Sequence, residues 1–307
     1  MGRYAVGLDI GGTRIKMGII ELESGKVMAA EVFPTERHFE VVFYESIRKS
    51  LCHMLSKLSM DAVKLVGIGI SIGSYVYSDG TLNGLIGIVD FMPYGYPLKK
   101  KLEEALNLNA KIDNDARLIG QAEALYGAGR GFSRVLTLTF GTGIGVGLCI
   151  DGQLTDKEAT IHLAGHIRVR DEHDCKWLDE PPCYCGLTGC FESTCSGSAL
   201  EKQIHHMLGK DISNQKMFQL AEQESQTAVN CVRWYIEMLC RGLNQYVYIY
   251  CPDVIVLGGG VSNSFAPWLV DIQENIIAKV NERQKTAIRL SELKEHSGIL
   301  GSAALFM

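Results

Sequence analysis

Two segments of the chain carry the same pattern. "LDIGGTRIKMGII" (Leu8 to Ile20) and "LTFGTGIGVGLCI" (Leu138 to Ile150) each read as an apolar strand, a Gly/Thr turn and a second apolar strand. A unit that recurs this way points to two related α/β lobes rather than one sheet. The length agrees, since 307 residues are long for a single hydrophobic core and suit two lobes.

The spacing predicts further strands at Lys26 to Phe33, Leu65 to Ser71 and Asp253 to Gly260. "LVGIGIS" is a near-continuous apolar run, the signature of a strand buried on both faces. Helical periodicity is expected from about His38 to Leu58, Leu98 to Leu106, Gly197 to Leu208, Gln215 to Glu222 and Ala228 to Tyr248. A first lobe of residues 1–115 plus 297–307 and a second of 116–296 follow, and a cleft between such lobes is a favoured ligand site.

The glycine turns limit the ligand. The first, Asp9 to Thr13, continues as strand and lacks a Gly-Lys-Ser/Thr ending, which excludes a Walker A loop. Gly143-Ile144-Gly145-Val146-Gly147 is not the spacing of a dinucleotide fold. Glycines at a hairpin still bring backbone N–H groups close to an anion. Thr13 and Thr142 add hydroxyls, and Arg14 and Lys16 add positive charge. Asp9, at a strand end, suits Mg²⁺, since hard cations prefer oxygen ligands. Two matched turns plus Gly258, Gly259 and Gly260 at a third strand end read as a site for nucleotide phosphates; the plainer reading is two tight hairpins without a ligand.

"IDNDAR" (Ile112 to Arg117) lies between an apolar strand and a helical stretch. Asn114 or Asp115 there serves as a helix cap on one reading. On the other, Asp115 is a general base and Asn114 bonds a polyol.

Cys183-x-Cys185-x4-Cys190 offers three thiolates, with Gly186 and Gly189 permitting tight turns. Structural zinc wants four N/S ligands. Candidates for the fourth are His166, His173, Cys175 and Cys195. No C-x-x-C redox pair is present. Cys52, Cys149, Cys231, Cys240 and Cys251 sit in apolar stretches and are expected to be core thiols. No apolar run approaches a membrane span, and the N-terminus shows no secretory pattern, so a reducing intracellular location is expected. The net charge of -5 gives no support to a nucleic-acid or anionic-membrane surface.

Seven motifs in order resemble the ROK family (repressor, open reading frame, kinase) of sugar kinases and sugar-responsive repressors. They are "DIGGT" at Asp9 to Thr13, "NDA" at Asn114 to Ala116, "GTGIGVG" at Gly141 to Gly147 and "GH" at Gly165–His166. "CYCGLTGCFE" at Cys183 to Glu192, "PDVIVLGGG" at Pro252 to Gly260 and "SGILGSAAL" at Ser297 to Leu305 complete them. The resemblance implies the actin-like ATPase fold of hexokinases, with two ribonuclease-H-like α/β lobes, an interlobe cleft and a last helix that returns to the first lobe. It implies ATP-dependent phosphorylation of a hexose, usually at the 6-hydroxyl, with glucose, fructose, mannose, allose or an N-acetylhexosamine as acceptor.

Carried over by position, Asp115 is the catalytic base. Asn114, Asp115, His166, Glu192 and Gly73 meet the sugar. Asp9, Gly11, Gly12, Thr13, Arg14 and Lys16 form the first phosphate loop. Gly141, Thr142 and Gly143 form the second, and Gly258, Gly259 and Gly260 lie near the adenosine. His166, Cys183, Cys185 and Cys190 hold a structural Zn²⁺, beside ATP and Mg²⁺. A cytoplasmic homodimer with small-molecule partners is also implied, with no nucleic acid and no membrane. Two positions depart from the family pattern. The family's "GEIGH" becomes "HLAGH", which puts Leu163 in place of a sugar-binding Glu, and the family's "PG" loop becomes "SIGSYV". The departures leave a catalytically weak or inactive sugar-binding regulator as the alternative; a thiol redox protein, whose cysteines would oxidise reversibly and hold no metal, is a second.

Overall fold

The computed structural model describes residues 2–85, 88–155, 160–171, 183–209, 212–277 and 285–307. The chain divides into two compact units, one of residues 1–131, 152–159 and 293–307, the other of 132–151 and 160–292. The first unit therefore holds the helix that follows Asn114, which the sequence reading assigns to the second lobe.

The first unit begins with three antiparallel strands, β1 (Tyr4–Ile10), β2 (Arg14–Glu21) and β3 (Lys26–Pro34). Helix α1 (Glu40–Leu58) leads to β4 (Leu65–Ile72), then α2 (Leu98–Leu106), β5 (Ala110–Asn114) and α3 (Asp115–Tyr126). The sheet order is β3-β2-β1-β4-β5, with β4 parallel to β1 and β5 parallel to β4. Strand β4 is central and parallel on both sides. All but one of its residues are buried, as its unbroken apolar run requires.

The second unit opens with β6 (Arg134–Phe140) and β7 (Ile144–Ile150), an antiparallel pair; the two-residue β8 (Gln153–Leu154) belongs to the first. Helices α4 (Phe191–Cys195), α5 (Gly197–Leu208), α6 (Asn214–Glu222) and α7 (Gln226–Tyr250) follow. Strand β9 (Val254–Gly258), α8 (Leu269–Ile277) and β10 (Ala287–Leu290) complete it. Strand β9 runs parallel to β6, and β10 parallel to β9. The order β7-β6-β9-β10 thus repeats β2-β1-β4-β5, with the same parallel and antiparallel senses. The repeated hairpin marks a duplicated sheet.

Each unit has its own core. In the second, long α7 lays Tyr235, Leu239, Leu243 and Tyr246 against Phe191, Phe265 and the sheet. In the first, Phe43 and Ile47 of α1 cover one face of the sheet. The last helix, α9 (Ser297–Ala304), joins Ile299, Leu300 and Ala303 to Ala5 of β1 and Ala122 of α3. The last helix thus returns to the first unit.

Cys149, Cys231 and Cys240 are buried, but Cys52 and Cys251 are exposed, so the expectation of five core thiols is corrected for these two. Cys52 follows Leu51 on α1, and the 3.6-residue period turns it away from the buried stripe of Phe43, Ile47, Leu51 and Met54. Cys251 is the left-handed C-cap of α7, beyond its last buried turn. Among the described residues, no helix is long and apolar enough to cross a membrane.

Candidate functional site

The first unit gathers two carboxylates. Asp9 lies next to the end of β1, and its Oδ1 accepts a hydrogen bond from Ser71 Oγ on β4 at 2.8 Å. It has room because residue 298 is glycine: a β-carbon there would come within 2.5 Å of the Asp9 carboxylate. Burial raises the Asp9 carboxyl above the usual range, while the Ser71 bond and Lys16 oppose the rise.

Asp115 opens α3. Its Oδ1 accepts from the Ala116 N–H at 2.8 Å, and Gly73 lies beside its other oxygen, so that a β-carbon at 73 would sit 3.4 Å from Oδ2. Burial raises the Asp115 carboxyl too, and the negative Asp9 adds to the rise. A buried carboxylate whose charge a second one disfavours suits a cation or a proton-accepting role.

Asn114 is the helix cap. Its Oδ1 accepts from the Ala116 and Arg117 N–H groups, and its Nδ2 donates to Ser74 O at 3.2 Å. The capping reading therefore holds for Asn114, whose side chain also hydrogen-bonds the Asp115 carboxylate and opposes its rise.

The first glycine turn is tied from behind. Gly11 N donates to Arg14 O, Thr35 Oγ1 donates to Gly11 O at 2.7 Å, and Thr35 N donates to Thr13 O. Gly11, Thr13 and Arg14 are exposed. Lys16 Nζ donates to Glu295 O at 3.0 Å.

In the second unit, Gly141, Thr142 and Gly143 form the β6–β7 turn. Gly197 N, at the start of α5, donates to Gly141 O at 2.8 Å. A pocket of about 260 Å³ opens here, lined by Gly141, Thr142, Ser198, Asn214, Gly260 and their neighbours. Asn214 Oδ1 is buried there without a partner among the described residues. Gly258 instead lies within β9, and Gly259 turns the chain with φ of +88° against Phe140. Ser198 and Asn214 carry no motif. They reach the pocket as the opening residues of α5 and α6, which helix-start signals would have flagged.

The cysteine loop folds onto a short 3-10 helix, Thr160–His166, held by the Tyr246 hydroxyl donating to Ala164 O at 2.6 Å. Gly186 and Gly189 take φ of +86° and +73°, the turns expected of them. Phe191 N donates to Ile167 O, and Val169 N to Gly189 O, which fixes the loop against residues 167–169.

His166, Cys183, Cys185 and Cys190 each bring a ligand atom within 4.8 Å of the others. His166 Nδ1 lies 3.3 Å from Cys190 Sγ and 3.7 Å from Cys183 Sγ. Bonds of ~2.0–2.3 Å in a zinc tetrahedron give ligand separations of roughly 3.5–3.8 Å, so the set fits Zn²⁺. Burial pushes the Cys190 thiol up to about 12 and raises Cys183 as well, so three thiolates there call for a cation. Cys195 is fully buried elsewhere in the core, and His173 and Cys175 lie outside the described residues.

The other nitrogen of His166, Nε2, lies 2.7 Å from Tyr184 Oη and 3.9 Å from Glu192 Oε1. Glu192 Oε2 accepts the Ile144 N–H at 2.9 Å. Leu163, in the same 3-10 helix, is exposed. Sequence reasoning did not single out Tyr184, whose place between two cysteines was its only signal.

The chain as a whole is similar to known proteins. The N-acetyl-D-glucosamine kinase of Pectobacterium atrosepticum is 31% identical over 84% of each chain. The crystal structure of a ROK hexokinase from Thermus thermophilus superposes with a TM-score of 0.85 at 25% identity, covering 98% of this chain and 97% of that one. A ROK family glucokinase from Streptomyces griseus, in complex with glucose and AMPPNP, superposes with a TM-score of 0.71 at 26% identity over 98% of both chains. Residues 5–307 match the ROK family, and the chain belongs to it.

Proposed function

We propose that this protein transfers the γ-phosphoryl group of ATP to a hexose hydroxyl, most simply the 6-hydroxyl of glucose, fructose, mannose, allose or an N-acetylhexosamine. One observation carries the reading. Asp115 is half-buried at a strand-to-helix junction, faces the empty flank of Gly73, and has a carboxyl raised above the usual range. A carboxylate raised in this way is a better proton acceptor than an ordinary one. Kinase activity in relatives supports the same reaction class.

Asp115 takes the proton of the attacking hydroxyl. Asn114 meets the sugar beside Asp115, with Gly73 leaving the space. Glu192 bonds a further hydroxyl, as does His166 Nε2 where the sugar takes the place of Tyr184 Oη. Backbone N–H groups of the two glycine turns, with Thr13, Thr142, Arg14 and Lys16, receive phosphate oxygens. The pocket at Gly260, Ser198 and Asn214 takes the nucleoside. Asp9 would hold Mg²⁺, whose charge would offset the negative charge of the transferring group. Cys183, Cys185, Cys190 and His166 would hold a structural Zn²⁺, which would fix the His166 ring and the loop leading to Glu192. The same reading takes the protein as a cytoplasmic homodimer, as the family resemblance suggests.

An ADP-release assay across a panel of hexoses tests the proposal. Turnover with at least one hexose is expected. Sugar binding without turnover on any member would replace the kinase reading with that of a sugar-binding regulator.

A further inference from the structure

A buried ion pair straddles Asp115. Asp113, two residues before it, is 5% exposed; Arg117, two residues after, is 1% exposed. Arg117 Nε donates to Asp113 Oδ1 at 2.9 Å. The same Oδ1 accepts the Asn114 N–H at 2.7 Å, and Arg117 Nη2 donates to Thr155 O at 2.7 Å. Asp113 Oδ2 and Arg117 Nη1 are also buried, without partners among the described residues. A buried pair with one unfilled atom on each side is a costly way to stabilise a fold, since apolar residues of similar volume often do better. Its position offers another reason to have it.

From this geometry we infer that Asp113 and Arg117 are positioning residues for Asp115, a clamp that locks the strand-to-helix junction on both sides of the carboxylate and holds the net charge beside it at zero. The inference rests on the reading of Asp115 as the base. The lock is mechanical: Asp113 anchors the backbone N–H immediately before Asp115, and Arg117 anchors the first turn of α3 to Thr155. The balance is electrostatic. The other charged groups at Asp115 are Asp9, at the end of β1, and Lys16, which acts on Asp9 from β2. Asp9 already disfavours the ionised form of Asp115. An unpaired Asp113 would add to that effect, and an unpaired Arg117 would oppose it.

The charge argument predicts opposite movements from two substitutions at one pair. Asp113→Asn leaves the guanidinium uncompensated, so the acid limb of the kcat/KM profile moves to lower pH. Arg117→Gln leaves the carboxylate uncompensated, so the limb moves to higher pH. Each shift is expected to be on the order of half a unit to one unit. The neutral double variant, Asp113→Asn with Arg117→Gln, brings the limb back to its original position and recovers part of the kcat lost by either single variant.

The experiment measures pH–rate profiles for the parent, both single variants and the double, with thermal unfolding and zinc content as checks of the fold. Shifts in the same direction, or limbs that do not move in folded singles, overturn the clamp. Arg117→Lys covers the case in which a single variant does not fold. It keeps the charge and loses the fork, so an unmoved limb with kcat reduced about tenfold is expected; a moved limb or a parental kcat overturns the inference. Asp115→Asn is run alongside. Parental turnover in that variant would remove the base reading itself. An inactive Asp115→Asn with unmoved limbs in the charge variants would overturn the clamp alone.

Discussion

The carboxylate of Glu192 occupies the space that a side chain at Gly143 would need. A β-carbon at 143 would come within 2.6 Å of Glu192 Oε2, the oxygen that also accepts the Ile144 N–H. A turn read from sequence as part of a phosphate site thus also seats an acidic residue beside the cysteine loop. Gly143→Ala is expected to push Glu192 off the Ile144 amide. A hydrogen bond to a charged group is worth about 1.5–3 kcal/mol, so the sugar KM should rise about tenfold or more. Steady-state kinetics in sugar, with Tm as a fold check, decide it; an unchanged KM would remove Glu192 from the sugar site.

Asp115→Asn keeps the shape of the side chain and removes the proton acceptor. General-base catalysis contributes roughly 10²–10⁴-fold, so kcat should fall by about that factor while sugar binding by calorimetry stays near the parental value. A kcat within about threefold of the parent would mean that the attacking hydroxyl loses its proton to some other group.

Much of this arrangement was legible in the sequence, and the reasons differ by residue. The two sheets were readable because a buried parallel strand such as Leu65–Ile72 has nowhere to place a polar residue. The junction at Asn114 and Asp115 was readable because a cap and a base draw on the same residue types. Short elements escaped notice. Helix α4 has five residues, too few to show a period, yet it carries Glu192. The support of the site was not readable at all. Ser71 behind Asp9, Gly298 beside it and Tyr184 over His166 act across distances in sequence that no local pattern encodes.

Cys185 is exposed, so Cys185→Ala creates no core cavity, and any loss of stability reports on the metal. The variant is expected to lose zinc by metal analysis and to unfold at lower temperature, because structural zinc contributes its binding free energy to folding. Chelation of the parent should lower its Tm to the same value. Retained zinc with an unchanged Tm would show that the fourth vertex is not Cys185.

The raised carboxyls of Asp9 and Asp115 make a prediction about pH. Both are lifted by burial, the first and largest cause in each case. A carboxyl raised on folding favours the folded state at low pH and loses that contribution as pH climbs through its folded-state value. Metal-free protein should therefore carry an electrostatic cost at pH 7.5 that fades as pH falls through the folded-state values of the two groups. Asp9→Asn removes one charge of the pair, so in metal-free buffer it should raise Tm at pH 7.5 and raise it less in acid, where the carboxyls of the parent are protonated. Mg²⁺ should raise the Tm of the parent and have less effect on the variant, since Asp9 is the proposed oxygen ligand. Thermal unfolding of both proteins at pH 7.5 and in acid, with and without Mg²⁺, checks every part of this. A variant less stable than the parent at pH 7.5 would mean that the Ser71 bond outweighs the repulsion, and an equal Mg²⁺ response in both would place the cation elsewhere.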